Sequence, residues 1–217
     1  MDFEKMLANL AQKVEHRFFG KHRGLVVDND DPEKLGRLRV HVPSLFGAEV
    51  VTGWAMACTP YGGAPDQGFL FIPEVGAGVW VEFEQGDLQR PIWVGTFWSK
   101  PDGESELPKP NKNDPGSEFD EEDSVQSPPT RKIIKTKKGH TIQIEDLDGE
   151  ERIVIIEATN KNMIVMNSDG ITIQDATENK IEMKTDAFTI TAKVDFTIDA
   201  SGKAVKIKGS TVDFEKA

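Results

Sequence analysis

The sequence predicts an all-β protein made of two strand-rich parts, and three observations carry that prediction. From His22 to Trp98, apolar and polar residues alternate at a period of two, in short runs broken by Gly, Pro and Asp. From 131 to 217, a β-type apolar doublet recurs about every 8–11 residues. Between them lies a stretch rich in acidic residues, Pro, Ser and Gly, which cannot bury enough surface to offset the entropy of ordering. A chain of 217 residues has material for two such parts, each with its own core.

The N-terminal segment is the exception to the β pattern. Phe3, Leu7, Leu10, Val14 and Phe18 recur at intervals of three and four, which predicts a short amphipathic helix over residues 1–19, closed near Gly20. Its apolar stripe either caps its own domain or docks on a partner protein.

Residues 20–100 form the first β part. The runs HRGLVVDND, GRLRVHVP, VVTGWAMACT, GFLFIP, GVWVEFE and RPIWVGTFW supply five or six strands, enough for a small barrel whose closure removes exposed edges. Within it, FEQGDLQRPIWVG sits at a hairpin. Val79, Val81 and Phe83 share one strand face, Glu82 and Glu84 point the other way, and Ile92 and Val94 supply the facing apolar pair. That phase leaves Arg90 and Trp93 on the outer face and loop, as candidate contacts to a neighbouring barrel or to another protein. Cys58 is the sole cysteine, so no disulfide forms within the chain, and its setting in WAMACTP predicts a small buried side chain.

Residues 101–130 form an acidic, Pro/Ser-rich linker. It carries nine acidic and two basic groups, which is most of the formal net charge of −11. After it, Ile142, Ile144, Ile153, Ile155, Ile164, Ile171, Ile173, Ile181, Phe188, Ile190, Phe196, Ile198, Val205 and Ile207 mark the inward positions of a repeat over residues 131–217. No helical pattern is present to cover these strands, and each offers only a narrow apolar stripe with open edges. Three copies wound together bury the stripes on a common axis and pair the edges. A single-chain solenoid is the other arrangement that the repeat permits.

Catalytic and metal-binding signatures are missing. DNDDPE, from Asp28 to Glu33, lacks the Gly and Glu spacing of an EF-hand loop and reads as a polar turn. His16, His22, His41 and His140 are scattered without metal-ligand spacing, and the chain contains no HExxH, GxSxG, P-loop or CxxC. The expectation is a non-enzyme without cofactor or metal. No apolar run approaches the roughly 18 residues of a bilayer span, and the N-terminus carries acidic residues where a signal peptide is basic. Synthesis in the cytoplasm without export is expected.

GLVVDNDDPEKLGRLRVHVPSLFG followed by GFLFIPEVGAGVWVEFEQGDLQRPIWVG resembles the OB-fold domain of central spike proteins of contractile injection machines, which include phage baseplate spikes and Vgr proteins. The similar features are Asp31, Pro32, Gly36 and Arg37 between the first two strands, the Pro-Glu-x-Gly of Pro73 to Gly76, and the loop of Gly86, Asp87, Arg90 and Pro91. The resemblance implies a five-stranded OB-fold barrel followed by an intertwined, trimeric β-helical needle. It also implies a homotrimeric, membrane-puncturing role in a contractile phage tail or related particle. The partners are then a separate baseplate hub, a PAAR-like tip protein and, transiently, the target cell envelope. Thr211, Val212 and Phe214 are the expected tip contacts, because apolar alternation runs through them and no histidine follows His140 to build a metal-bound point.

Two rivals remain distinct from that reading. An OB-fold nucleic-acid binder needs a basic groove with aromatic platforms, whereas this barrel region is net acidic. A trimeric surface adhesin would expose aromatic grooves along its stem, but residues 131–217 contain no Trp or Tyr.

Overall fold

A computed structural model describes residues 6, 17–47, 49–110 and 127–215. The helix expected over residues 1–19 lies almost wholly outside the described residues, as does 111–126 of the linker. The chain divides into two compact units, Met1–Glu106 and Leu107–Ala217.

The first unit is a curled five-stranded sheet: β1 (His22–Asp28), β2 (Arg39–His41), β3 (Met56–Ala57), β4 (Gly78–Phe83) and β5 (Pro91–Thr96), in the order β2-β1-β4-β5-β3. β3 runs parallel to β5, and the other pairs are antiparallel. Bridges Leu38↔Ala55 and His41↔Val51 join the β2 side to the segment leading into β3, and so close the sheet on itself. Five strands curled shut in this order give an OB-type barrel. Alternation fills it. Val26, Leu38, Val40, Val42, Ala55, Val79, Val81, Phe83 and Trp93 form one buried core.

The β4–β5 hairpin corrects the expected phase of its second strand. Phe83 pairs with Pro91 and Val81 with Trp93, so Pro91 and Trp93 face the core, while Ile92 pairs with the outward Glu82. Trp93, expected on the outer surface, is 5% exposed, and its indole N–H donates to the Gly36 carbonyl at 3.1 Å. A register shift between Val79 and Val81 accompanies this pairing. Cys58 is likewise exposed rather than buried. It follows buried Ala55 and half-buried Ala57 in alternation, and so continues the outward phase of Met56 just past the end of β3. GFLFIP, read as a strand, is none. Phe69, Leu70 and Phe71 are 56%, 82% and 66% exposed on a long connection between β3 and β4.

The second unit is a seven-stranded antiparallel meander: β6 (Arg131–Lys135), β7 (Thr141–Glu145), β8 (Arg152–Glu157), β9 (Asn162–Asn167), β10 (Gly170–Gln174), β11 (Lys180–Lys184) and β12 (Phe188–Thr191). Every strand pairs with its neighbours in sequence. The short turns carry the Asp, Asn and Gly residues that such reversals require. Asp175, for example, accepts from the backbone N–H groups of Thr177 and Asn179, and the Asn179 side-chain amide holds its carboxyl below the usual range. Past Thr191 the described chain forms no strand, although the apolar alternation continues. The doublets at Phe196, Ile198, Val205 and Ile207 are therefore not paired within one chain.

Candidate functional site and assembly surfaces

At the barrel, Asp31 organises the turn from β1 into β2. Its carboxylate accepts from the backbone N–H groups of Glu33, Leu35 and Arg37, and from the Arg37 guanidinium at 2.6 Å. The Arg37 hydrogen bond, helped by those N–H groups, holds this buried carboxyl well below the usual carboxylate range. Gly36 sits at φ +72, and a Cβ there would lie 2.9 Å from Ile72 Cδ1. The Arg37 guanidinium also lies 5.7 Å from the Trp54 ring centroid. The Asp-Pro and Gly-Arg positions are thus a fold-holding clasp, and the acidic run from Asp28 is a turn.

The Gly-Asp and Arg-Pro loop closes the β4–β5 hairpin. Asp87 accepts from the Gln89 N–H, the Gly86 carbonyl accepts from the Phe18 N–H at 3.0 Å, and Arg17 donates to the Gln85 carbonyl. The loop therefore grips the chain entering the barrel. Arg90 is 61% exposed and pairs with Glu84 at 3.3 Å, so of the two expected contact residues it alone remains at the surface. Among the described residues, no group of three or more His, Cys, Asp or Glu side chains could hold a metal ion. No helix there is long and apolar enough to cross a membrane.

In the second unit, register assembles ten of the fourteen expected core residues into two ladders. Ile134, Ile142, Ile155, Ile164, Ile173, Ile181 and Ile190 stand opposite one another, one per strand, across all seven strands. Beside them runs Lys132, Ile144, Ile153, Met166, Ile171, Met183 and Phe188. Directly paired residues share a sheet face, so one face carries both ladders. Within a single chain that face is open: Ile142 is 42% exposed, Ile173 41% and Ile190 51%. Ile134 extends the first ladder and was missed in the sequence, although its spacing to Ile142 across a tight turn encodes the pairing.

The opposite face holds Val154, Ile156, Met163 and Val165 as a buried cluster, which the sequence reading did not single out. It also holds a fully buried Arg131–Glu145 ion pair at 2.9 Å. Beyond β12, Phe196, Ile198, Val205 and Ile207 are 60%, 62%, 53% and 63% exposed. Near the C-terminus Val212 is 47% and Phe214 88% exposed, with Thr211 exposed beside them. A groove of about 620 Å³ runs between Ile164, Ile173, Ile181 and Ile190 and the segment carrying Val194 and Phe196. Its lining includes five residues of the isoleucine ladder and holds no catalytic constellation.

Comparison with known families matches both units. Residues 22–98 match the type VI secretion system/phage-baseplate injector OB domain, and residues 132–217 match the phage baseplate V C-terminal trimerisation domain. No curated protein matches the chain. A closed five-stranded barrel where the injector domain is matched, and a one-sided apolar sheet where the trimerisation domain is matched, agree with those two matches, and together the two matched domains support a phage-baseplate spike protein.

Proposed function

We propose that this protein is the membrane-puncturing central spike of a contractile tail or injection particle, a homotrimer that passes axial force from a separate tube hub to a tip protein and the target envelope. The observation that carries the proposal is the pair of ladders. Seven isoleucines in one register line, five of them exposed and Ile164 and Ile181 half-buried in a single chain, form a face that a threefold stem would enclose. Each isoleucine buried outright would contribute about 1.5–3 kcal/mol, three times over in a trimer. A stem closed in this way is stiff, because its backbone hydrogen bonds are continuous and its core is packed. Stiffness is the property that a force-bearing element requires.

Particles assembled with wild-type spike and with Ile173→Asp spike test the reading. Native mass spectrometry should give a trimer for the wild type and loss of trimer for the variant. Wild-type particles should permeabilise the target envelope after sheath contraction, whereas variant particles should contract without permeabilising it. A monomeric wild type at micromolar concentration, or variant particles that puncture normally, would overturn the proposal.

A further inference from the structure

The connection from Ala57 to Gly78 is too long for an ordinary link in a small barrel, where loops beyond about 12–15 residues are uncommon and usually functional. It is nonetheless built. The Phe69 N–H donates to the Tyr61 carbonyl at 3.1 Å, and the Tyr61 hydroxyl donates to Gln67 at 3.0 Å. The Tyr61 and Phe69 rings meet edge to face at 5.6 Å, and Phe69 meets Phe71 at 6.4 Å. Gly68, at φ +148, brings its Cα so close that a Cβ would lie 3.1 Å from the Tyr61 carbonyl oxygen. The loop thus fixes its own shape, yet leaves Tyr61 52%, Phe69 56%, Leu70 82% and Phe71 66% exposed.

A self-supporting loop that turns aromatic and aliphatic side chains outward has met its ordering cost before any contact, as a docking element does. Its occupant follows from charge and tethering. Residues 20–100 carry ten acidic and seven basic groups, so identical barrels repel, but residues 58–73 hold a single charged side chain, Asp66. Because residues 132–217 are a trimerisation domain, each barrel has two copies of itself held at high local concentration. We infer that the Tyr61–Phe71 loop is the barrel-to-barrel contact of the trimer, its apolar tip seated on the next copy around the threefold axis. The inference rests on the trimeric stem and moves the inter-barrel contact from Trp93 to this loop.

The test is the full-length chain with Leu70→p-benzoylphenylalanine, a substitution at a position too exposed to disturb the fold. Its native mass is measured before irradiation. A trimer that yields covalent dimers and trimers, with adducts mapped to residues 22–98 of another chain, is the expected result. A trimer that yields no chain-to-chain adduct, or adducts only to residues 131–217, overturns the role of the loop while leaving the trimer intact. A monomeric mass removes the trimer itself, and this contact with it.

Discussion

Asp31 shows how much of a small barrel can hang on one carboxylate. It satisfies three backbone N–H groups of its turn and the Arg37 guanidinium, so protonation would release several partners together. Because its folded-state value is depressed, the stabilisation is complete above the ordinary carboxylate pKa of about 4, and it is lost as the pH falls below that toward the depressed value. Asp31→Asn should therefore lower the melting temperature of the barrel by several degrees at neutral pH. The gap to the wild type should narrow on acidification, and thermal unfolding followed across pH checks this. An equal gap at neutral pH and at about pH 2 would show that the carboxylate charge is not what matters. The motif was legible as a polar turn. Its role as a clasp was not, because three of the partners of Asp31 are backbone N–H groups that any sequence would offer, and only the fold brings the Arg37 guanidinium onto the same carboxylate.

Among the elements, the isoleucine ladder was the most legible, since β-branched doublets at even spacing encode strand, face and register together. The prediction for it compares two substitutions. Ile173→Asp places a carboxylate on the ladder, and three such groups would meet in the closed stem, costing at least about 3 kcal/mol per chain. Lys137→Asp, in the exposed turn between β6 and β7, should change little. Resistance of the trimer to detergent is the measurement, and equal losses would mean that the ladder face is not the core. Two elements were illegible for physical reasons. The phase of β5 depends on how many residues the hairpin turn consumes, and counting back from Phe83↔Pro91 reveals it only once that pair is known. The GFLFIP run has strand composition but no partner strand. Its apolar side chains lie at the surface, and composition alone cannot distinguish that from burial.

For the molecule as a whole, strand content in the second unit stops at Thr191 while apolar alternation runs on to Phe214. The residues past Thr191 form no strand although β12 stands at the edge of the sheet, so apolar alternation alone does not make a strand there. Deleting residues 209–217 should leave a trimer, because the ladders remain, yet abolish capture of a PAAR-like tip protein in co-purification. Retention of the tip by the shortened chain would move that contact elsewhere. The strictly sequential order β6 to β12 has a further consequence, for folding. Each strand meets its partner after a short turn, so loop closure is cheap and the sheet can zip up hairpin by hairpin as the chain leaves the ribosome. The slow event is then the encounter of three finished sheets, each holding an oily face in water until the others arrive. Yield should fall off at low expression for want of partners, and at high expression through off-pathway clumping.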